Sequence, residues 1–272
     1  MKTYPIVLTI AGSDSSGGAG IQADIKTMSA IGVYASSAIT AVTAQNTQGV
    51  TAIMGVDPKV VAAQIDAVFA DLHPEAVKIG MLFSKDIVDA VADSLERWRP
   101  RWVVLDPVMI STSGSPLIGD DAVDALTRRL IPQATVLTPN RAEAAALAGM
   151  QVDSRGDMDE AARRILALGC TAVLMKGGHF DDEAMTDRLY LADASVHEYK
   201  GSFVDTRNTH GTGCTLSSAI ASFMALGHQL PDAVGRAKSY LQSALEAGAT
   251  VTIGQGHGPV NHFFKPQKLE TI

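Results

Sequence analysis

Short apolar runs alternate with amphipathic stretches along most of this chain, and that alternation restricts the fold more than any other feature. Ile6–Ile10, Val33–Val42, Val50–Val56, Ala76–Gly80, Trp102–Leu105, Thr135–Leu137 and Ala172–Met175 read as strands. Between them, Gly20–Ala30 carries Ile21, Ile25 and Met28 on one face, Pro58–Leu72 carries Val61, Ile65 and Val68, and Lys85–Trp98 carries Ile87, Val91 and Leu95. These are helical spacings. Asp57-Pro58 reads as an N-cap followed by Pro at the first helical position, and Ser84 as a second N-cap. Asp120–Leu130, Arg141–Ala148 and Asp157–Leu168 continue the series. Repeated βα units imply a mostly parallel sheet buried on both faces by helices.

After Gly178 the pattern changes: Arg188–Ala192 and Val196–Tyr199 read as short antiparallel strands, and helices at about Thr212–Leu226 and Pro231–Glu246 follow. This hairpin interrupts the eightfold repeat that a βα barrel requires, so the expected fold is an open, doubly wound α/β sheet. With no linker or internal repeat, residues 1–272 are expected to form a single domain. Thr27–Val56 has no charged residue, but its Gln, Asn, Thr and Gly content rules it out as a membrane span. A formal charge of −7 with scattered Lys and Arg gives no footprint for nucleic acid. Only two cysteines are present, and the N-terminus shows no secretory pattern, so a cytoplasmic setting is expected.

In an open α/β sheet, ligands bind beyond the carboxyl ends of the strands. There the chain places Gly12–Gly20, Gln45-Asn46, Gly80-Met81, Asp106–Met109, Thr138–Glu143, Lys176–His179 and His210–Cys214. Gly12-x4-Gly17 begins like a Walker A loop, but Gly18 and Ala19 stand where Lys and Ser/Thr are needed. Gly18-Ala-Gly20-Ile-Gln-Ala23 fits a loose dinucleotide pattern, yet no carboxylate lies between Asp24 and Asp57 to hold a ribose. Asp24 faces either the cleft or solvent on this reading. Gly211-Thr212-Gly213-Cys214 opens a helix whose free N–H groups suit an anion, and Cys214 in its first turn is expected to have a lowered pKa. Asn140 and Glu143, one turn apart, suit either Mg²⁺ or a helix cap. Lys176 at a strand end suits phosphate neutralisation, and Asp106 either orients a water or cation or simply ends its strand.

Taken together, Ala11–Asp24, Thr43–Thr47, Lys78-Ile-Gly-Met81, Asp106-Pro-Val-Met109, Thr138-Pro-Asn140 with Glu143, Lys176-Gly-Gly-His179 and His210–Ser218 resemble the bacterial hydroxymethylpyrimidine/phosphomethylpyrimidine kinases of thiamine biosynthesis, in the ribokinase superfamily. The likeness runs from about residue 5 to Val260. It implies a ribokinase-like fold and MgATP-dependent phosphorylation of 4-amino-5-hydroxymethyl-2-methylpyrimidine, then of its monophosphate. It further implies that Gln45 bonds the aminopyrimidine while Gly12, Asp24, Met81 and Val108 line its pocket. Gly211, Thr212, Gly213 and Cys214 would hold the transferring phosphoryl group, and Asn140, Glu143 and Asp106 would support Mg²⁺. Lys176 would lie near the nucleotide phosphates, with Lys238 as a further nucleotide contact. A homodimer is implied, and K⁺ near Asp106 is left open.

Sugar kinases of the superfamily carry Asp as base where this branch carries Cys214, so the identity of the base stays open. Three other functions remain at this point. A vitamin B6 kinase would use the same architecture. Cys214 with His210 could act as a covalent thiol nucleophile, and the fold could serve as a ligand-binding protein without catalysis.

Overall fold

The computed structural model describes residues 3–109, 117–177, 185–269 and 271. Strands β1 (Ile6–Asp14), β2 (Tyr34–Asn46), β3 (Gly49–Gly55), β4 (Ala76–Ile79), β5 (Trp102–Leu105), β6 (Val136–Leu137), β7 (Ala172–Met175), β8 (Asp187–Leu191) and β9 (Val196–Tyr199) form one sheet in the order β3-β2-β1-β4-β5-β6-β7-β8-β9. Pairing from β2 to β7 is parallel, while β3, β8 and β9 join antiparallel at the two edges.

Alternation along each strand sends consecutive side chains into two different cores. Leu8, Ile10, Val77, Ile79, Val103 and Leu105 pack under α2 (Pro58–Asp71), α3 (Lys85–Trp98), α4 (Asp120–Ala125), α5 (Arg141–Ala148) and α6 (Arg155–Leu166). Val7, Ala76, Val104, Val136 and Leu174 pack on the other face under α1 (Gly20–Ile31), α7 (Thr212–Ala225) and α8 (Leu230–Gly248). Each Val, Leu or Ile among them, removed wholly from water, contributes about 1.5–3 kcal/mol before conformational entropy is counted. The expected doubly wound sheet is therefore present.

Local signals act as read. Asp57 accepts a bond from the Lys59 N–H at 2.8 Å with Pro58 beside it, and Ser84 caps α3 through the Ile87 N–H at 3.4 Å. Three boundaries differ by four residues or more, the first being β1, which runs on past Ile10 to Asp14. Strand β2 runs on to Asn46 because β3 pairs with it, Ala44 opposite Ala52 and Gln45 opposite Val50, so Gln45 sits on a strand end with a bulge before it. The helix expected over Asp120–Leu130 stops being α-helical at Ala125, continues as a π-turn over Leu126–Leu130 and becomes a 3₁₀ turn over Ile131–Gln133. Pro132 has no N–H with which to continue an α-helix there.

Candidate active site

Two glycine loops interlock at the carboxyl edge of the sheet. The Asp14 carboxylate, at the end of β1, accepts bonds from the N–H groups of Ser16, Gly18 and Ala19 at 2.8, 3.1 and 2.8 Å. It also lies 2.9 Å from His210 Nε2. Burial alone would raise the Asp14 carboxyl, but bonds from His210, Ser16 and Ala19 outweigh it and hold the group at about 2. At Gly20 (φ +57) a Cβ would collide with the Gly12 carbonyl, and at Gly211 (φ +80) with the Gly18 carbonyl. Only glycine permits these approaches. No side chain caps the start of α7, which begins at Thr212. Gly213 and Cys214 at its start line the cavity, as do Ala19 and Gly20 at the start of α1. Two helix N-termini thus face one cavity.

Beneath them lies a buried charge network. Lys78 Nζ bonds both Asp24 oxygens at 2.9 and 2.8 Å, and Asp24 also accepts from Thr9 Oγ1 and Ser218 Oγ, each at 2.6 Å. Burial by itself would lower the Lys78 pKa; the Asp24 carboxylate outweighs it and holds the ammonium charged well above its ordinary value. Further along the edge, Asp106 Oδ1 accepts from Thr138 Oγ1 at 2.9 Å and from Lys176 Nζ at 3.1 Å, and Lys176 Nζ lies 3.9 Å from Glu143 Oε2. A Cβ built on Gly213 would lie 3.4 Å from Asp106 Oδ2 and 3.5 Å from Lys176 Nζ, so this trio adjoins the start of α7. Asn140 and Glu143 form a reciprocal capping box, Asn140 Oδ1 accepting from Glu143 N at 2.9 Å and Glu143 Oε2 from Asn140 N at 2.8 Å. Burial pushes the Glu143 carboxyl up to about 7, with the Lys176 charge opposing and Asp106 adding to the rise.

A cavity of about 1010 Å³ runs over this edge. Gly12, Gln45, Met81 and Val108 line one end; Asp106, Asn140, Glu143, Lys176, Lys238 and Gly211–Cys214 line the rest. Two expectations are corrected. Asp24 neither lines the cavity nor reaches solvent: it is wholly buried behind the wall, its oxygens taken by Lys78, Thr9 and Ser218. Cys214 does not have a lowered pKa, because burial pushes its thiol up to about 11 even though the Lys78 charge pulls the other way. Lys238 does line the cavity, but its Nζ is tied to Asp187 Oδ2 at 2.6 Å. Gly178 and His179, at the end of one motif, lie outside the described residues. Sequence reading passed over Lys78, Asp14 and Asp187; a lysine inside the apolar run Ala76–Gly80 was the available signal for the first.

Among the described residues no group of three or more His, Cys, Asp or Glu side chains is placed to hold a metal unaided. Mg²⁺ does not need one, since it is commonly held by one or two carboxylates together with substrate phosphates. Asp106 and Glu143, hard oxygen donors flanking Lys176, fit that mode. Among the described residues no helix is long and apolar enough to cross a membrane.

The fold is that of the ribokinase-like kinases. The structure of Bacillus subtilis pyridoxal kinase in an ADP complex superposes with a TM-score of 0.87 at 35% identity, covering 96% of this chain and 98% of that one. The phosphomethylpyrimidine kinase of Clostridium difficile 630 superposes at 0.79 with 46% identity, covering 88% and 99%. In sequence, the hydroxymethylpyrimidine/phosphomethylpyrimidine kinase of Rhizobium meliloti is 52% identical over 263 residues, 96% of this chain and 97% of that protein. The phosphomethylpyrimidine kinase family model matches residues 14–261. The chain belongs to that family.

Proposed function

We infer that this chain transfers the terminal phosphoryl group of ATP to the hydroxymethyl oxygen of 4-amino-5-hydroxymethyl-2-methylpyrimidine, and then phosphorylates the monophosphate to the diphosphate, as a step of thiamine biosynthesis. One observation carries the reading: a side-chain amide, Gln45, and an uncapped helix start, Gly211–Cys214, share a single cavity. An amide offers a donor and an acceptor side by side, which matches a ring nitrogen next to an exocyclic amine. Gly12, Met81 and Val108 supply the apolar walls against which a flat ring packs.

The N–H groups of Gly213 and Cys214 hold the transferring phosphoryl group, while Lys176, kept cationic by Asp106 and Glu143, neutralises phosphate charge. Bound with the nucleotide beside Asp106 and Glu143, Mg²⁺ would neutralise charge on the phosphate oxygens and orient them. Thr212, Asn140 and Lys238 complete the nucleotide side. Only the thiolate form of Cys214 can take the alcohol proton, and only in the first step, since the monophosphate acceptor is already an anion. With a thiol at about 11, that contribution is modest beside positioning and electrostatics.

The protein acts as a single kinase domain in the cytoplasm, where Cys170 and Cys214, both free, remain thiols. A homodimer belongs to the same proposal. Val42 and Met54, paired across β2 and β3 and 42% and 66% exposed, leave an apolar face on that hairpin.

Coupled ADP release tests the reading, with MgATP and, separately, the pyrimidine alcohol, its monophosphate, pyridoxal and no acceptor, each with and without K⁺. Turnover of both pyrimidines well above pyridoxal is expected. Turnover of pyridoxal alone, which the 0.87 superposition on a pyridoxal kinase makes the second reading, would reassign Gln45. No ADP release with any acceptor would leave a binding protein or a thiol nucleophile.

A further inference from the structure

The Gln45 side chain is held at both ends of its amide. One terminal atom of the amide lies 3.1 Å from Thr43 Oγ1, and the other lies 3.4 Å from His210 Nε2. Nitrogen and oxygen of such an amide are assigned by their neighbours' protons. Thr43 Oγ1 has one proton, and at 2.9 Å it goes to the Ser13 carbonyl, which can only accept. The Gln45 atom beside Thr43 must therefore donate.

At the other end, His210 Nε2 lies 2.9 Å from Asp14 Oδ2. Asp14 is ionised, and its remaining partners, Ser16, Gly18 and Ala19, all donate to it. Nε2 therefore carries a proton whether the imidazole is neutral or charged, and has no lone pair to offer. The Gln45 atom beside His210 therefore cannot donate to it, and an oxygen there accepts the longer, 3.4 Å branch of a proton whose short bond goes to Asp14. Both neighbours independently call for the amide nitrogen toward Thr43 and its oxygen toward His210.

We propose that Asp14, His210 and Thr43 lock the Gln45 amide with its NH₂ toward Thr43 and its oxygen toward His210, and so fix which ring edge the pocket accepts. A heteroaromatic edge is then admitted with its acceptor nitrogen on the Thr43 side and its donor amine on the His210 side. A lactam edge, an N–H beside a carbonyl, meets donor against donor and acceptor against acceptor. His210 and Thr43 are positioning residues in this scheme, and Gln45 touches the ring. The specificity half of the proposal rests on the functional reading above; the amide orientation does not.

Two measurements test it. In the isotopically labelled protein, NOEs from the Gln45 side-chain amide protons should be stronger to the Thr43 methyl than to the His210 ring protons, and the ¹⁵N shift of His210 Nε2 should be that of a protonated nitrogen. Equal or reversed NOEs, or an unprotonated Nε2, would overturn the lock. In kinetics, the aminopyrimidine alcohol should exceed its 4-oxo lactam analogue in kcat/KM by at least about 100-fold, because a site built for one polar pattern rejects its inverse strongly. Thr43→Val and His210→Leu should each narrow that ratio by roughly tenfold or more, while Thr43→Ser and His210→Gln, which keep the hydroxyl and an N–H, restore it. The near-isosteric Thr43 pair decides the matter if His210→Leu does not fold. Proportional loss on both rings, with the ratio unchanged, would show a merely structural role and overturn the specificity claim. No turnover of either ring, with the NOEs as expected, would sink the functional reading and leave the orientation established.

Discussion

Lys78 Nζ lies 2.9 and 2.8 Å from the two oxygens of Asp24, and neither side chain has any exposure to solvent. A charge pair this deep is costly to half-remove. Asp24→Asn should reduce the free energy of unfolding by about 3 kcal/mol in urea titration, because it strands a buried ammonium. Lys78→Met added to that variant should recover part of the loss. Unchanged stability with a raised pyrimidine KM would instead make Asp24 a direct substrate contact.

The Cys214 thiol, at about 11, is protonated at neutral pH in the free protein. Its alkylation by iodoacetamide, followed by peptide mass spectrometry in a Cys170→Ala background, should rise about tenfold per pH unit from pH 7.5 to 9.5. A rate already on its plateau at pH 7.5 would restore the thiolate. In single-turnover assays, Cys214→Ala should slow the first phosphorylation more than the second, and equal losses would remove its role as base.

Glu143 has its pKa raised on folding, from an ordinary 4.5 to about 7. Between those values the folded state binds more protons than the unfolded one, so stability is present at low pH and is lost as pH rises through about 7. Glu143→Gln should remove that slope and be more stable than wild type at pH 8, by roughly 2 kcal/mol. Millimolar Mg²⁺ with nucleotide should raise the wild-type melting temperature more at pH 8 than at pH 6. A slope identical in the two proteins would place the titration elsewhere.

Gly211→Ala should cost about 1–3 kcal/mol of stability and most of the activity, since the new methyl meets the Gly18 carbonyl at a left-handed φ of +80. By contrast, Gly149→Ala, also at positive φ (+61) but facing open space, should reduce stability through its backbone alone and leave kcat unchanged. Loss of kcat in both would show that the interlock of the two loops is not what matters.

The sheet was legible because burial on both faces leaves a periodic mark, and the site because its loops must follow the strands that aim them. Gln45, Met81, Asp106, Asn140, Lys176 and Gly211–Cys214 stand where that logic put them, around one cavity. What stayed hidden depends on partners distant in sequence. Asp14 and His210 are 196 positions apart, and Asp24 and Lys78 are 54 apart, so neither pair leaves a local pattern. The Cys214 error has the same origin. A helix start lowers a thiol's pKa, but the desolvation of the half-buried Cys214 thiol where α1 packs against α7 is a tertiary quantity and outweighs it. The expected helix did stop before Pro132, but its change from α to π geometry at Leu126 follows no local signal in the sequence.

The central claim is that one cavity serves two successive transfers to the same substrate. A ³¹P NMR time course from the pyrimidine alcohol with excess MgATP tests it most directly. The account predicts a phosphomonoester that rises first and is then consumed as a diphosphate ester appears, with ADP matching the sum. A time course that forms no phosphoester from the pyrimidine, or that halts at the monoester while ATP remains, would contradict it.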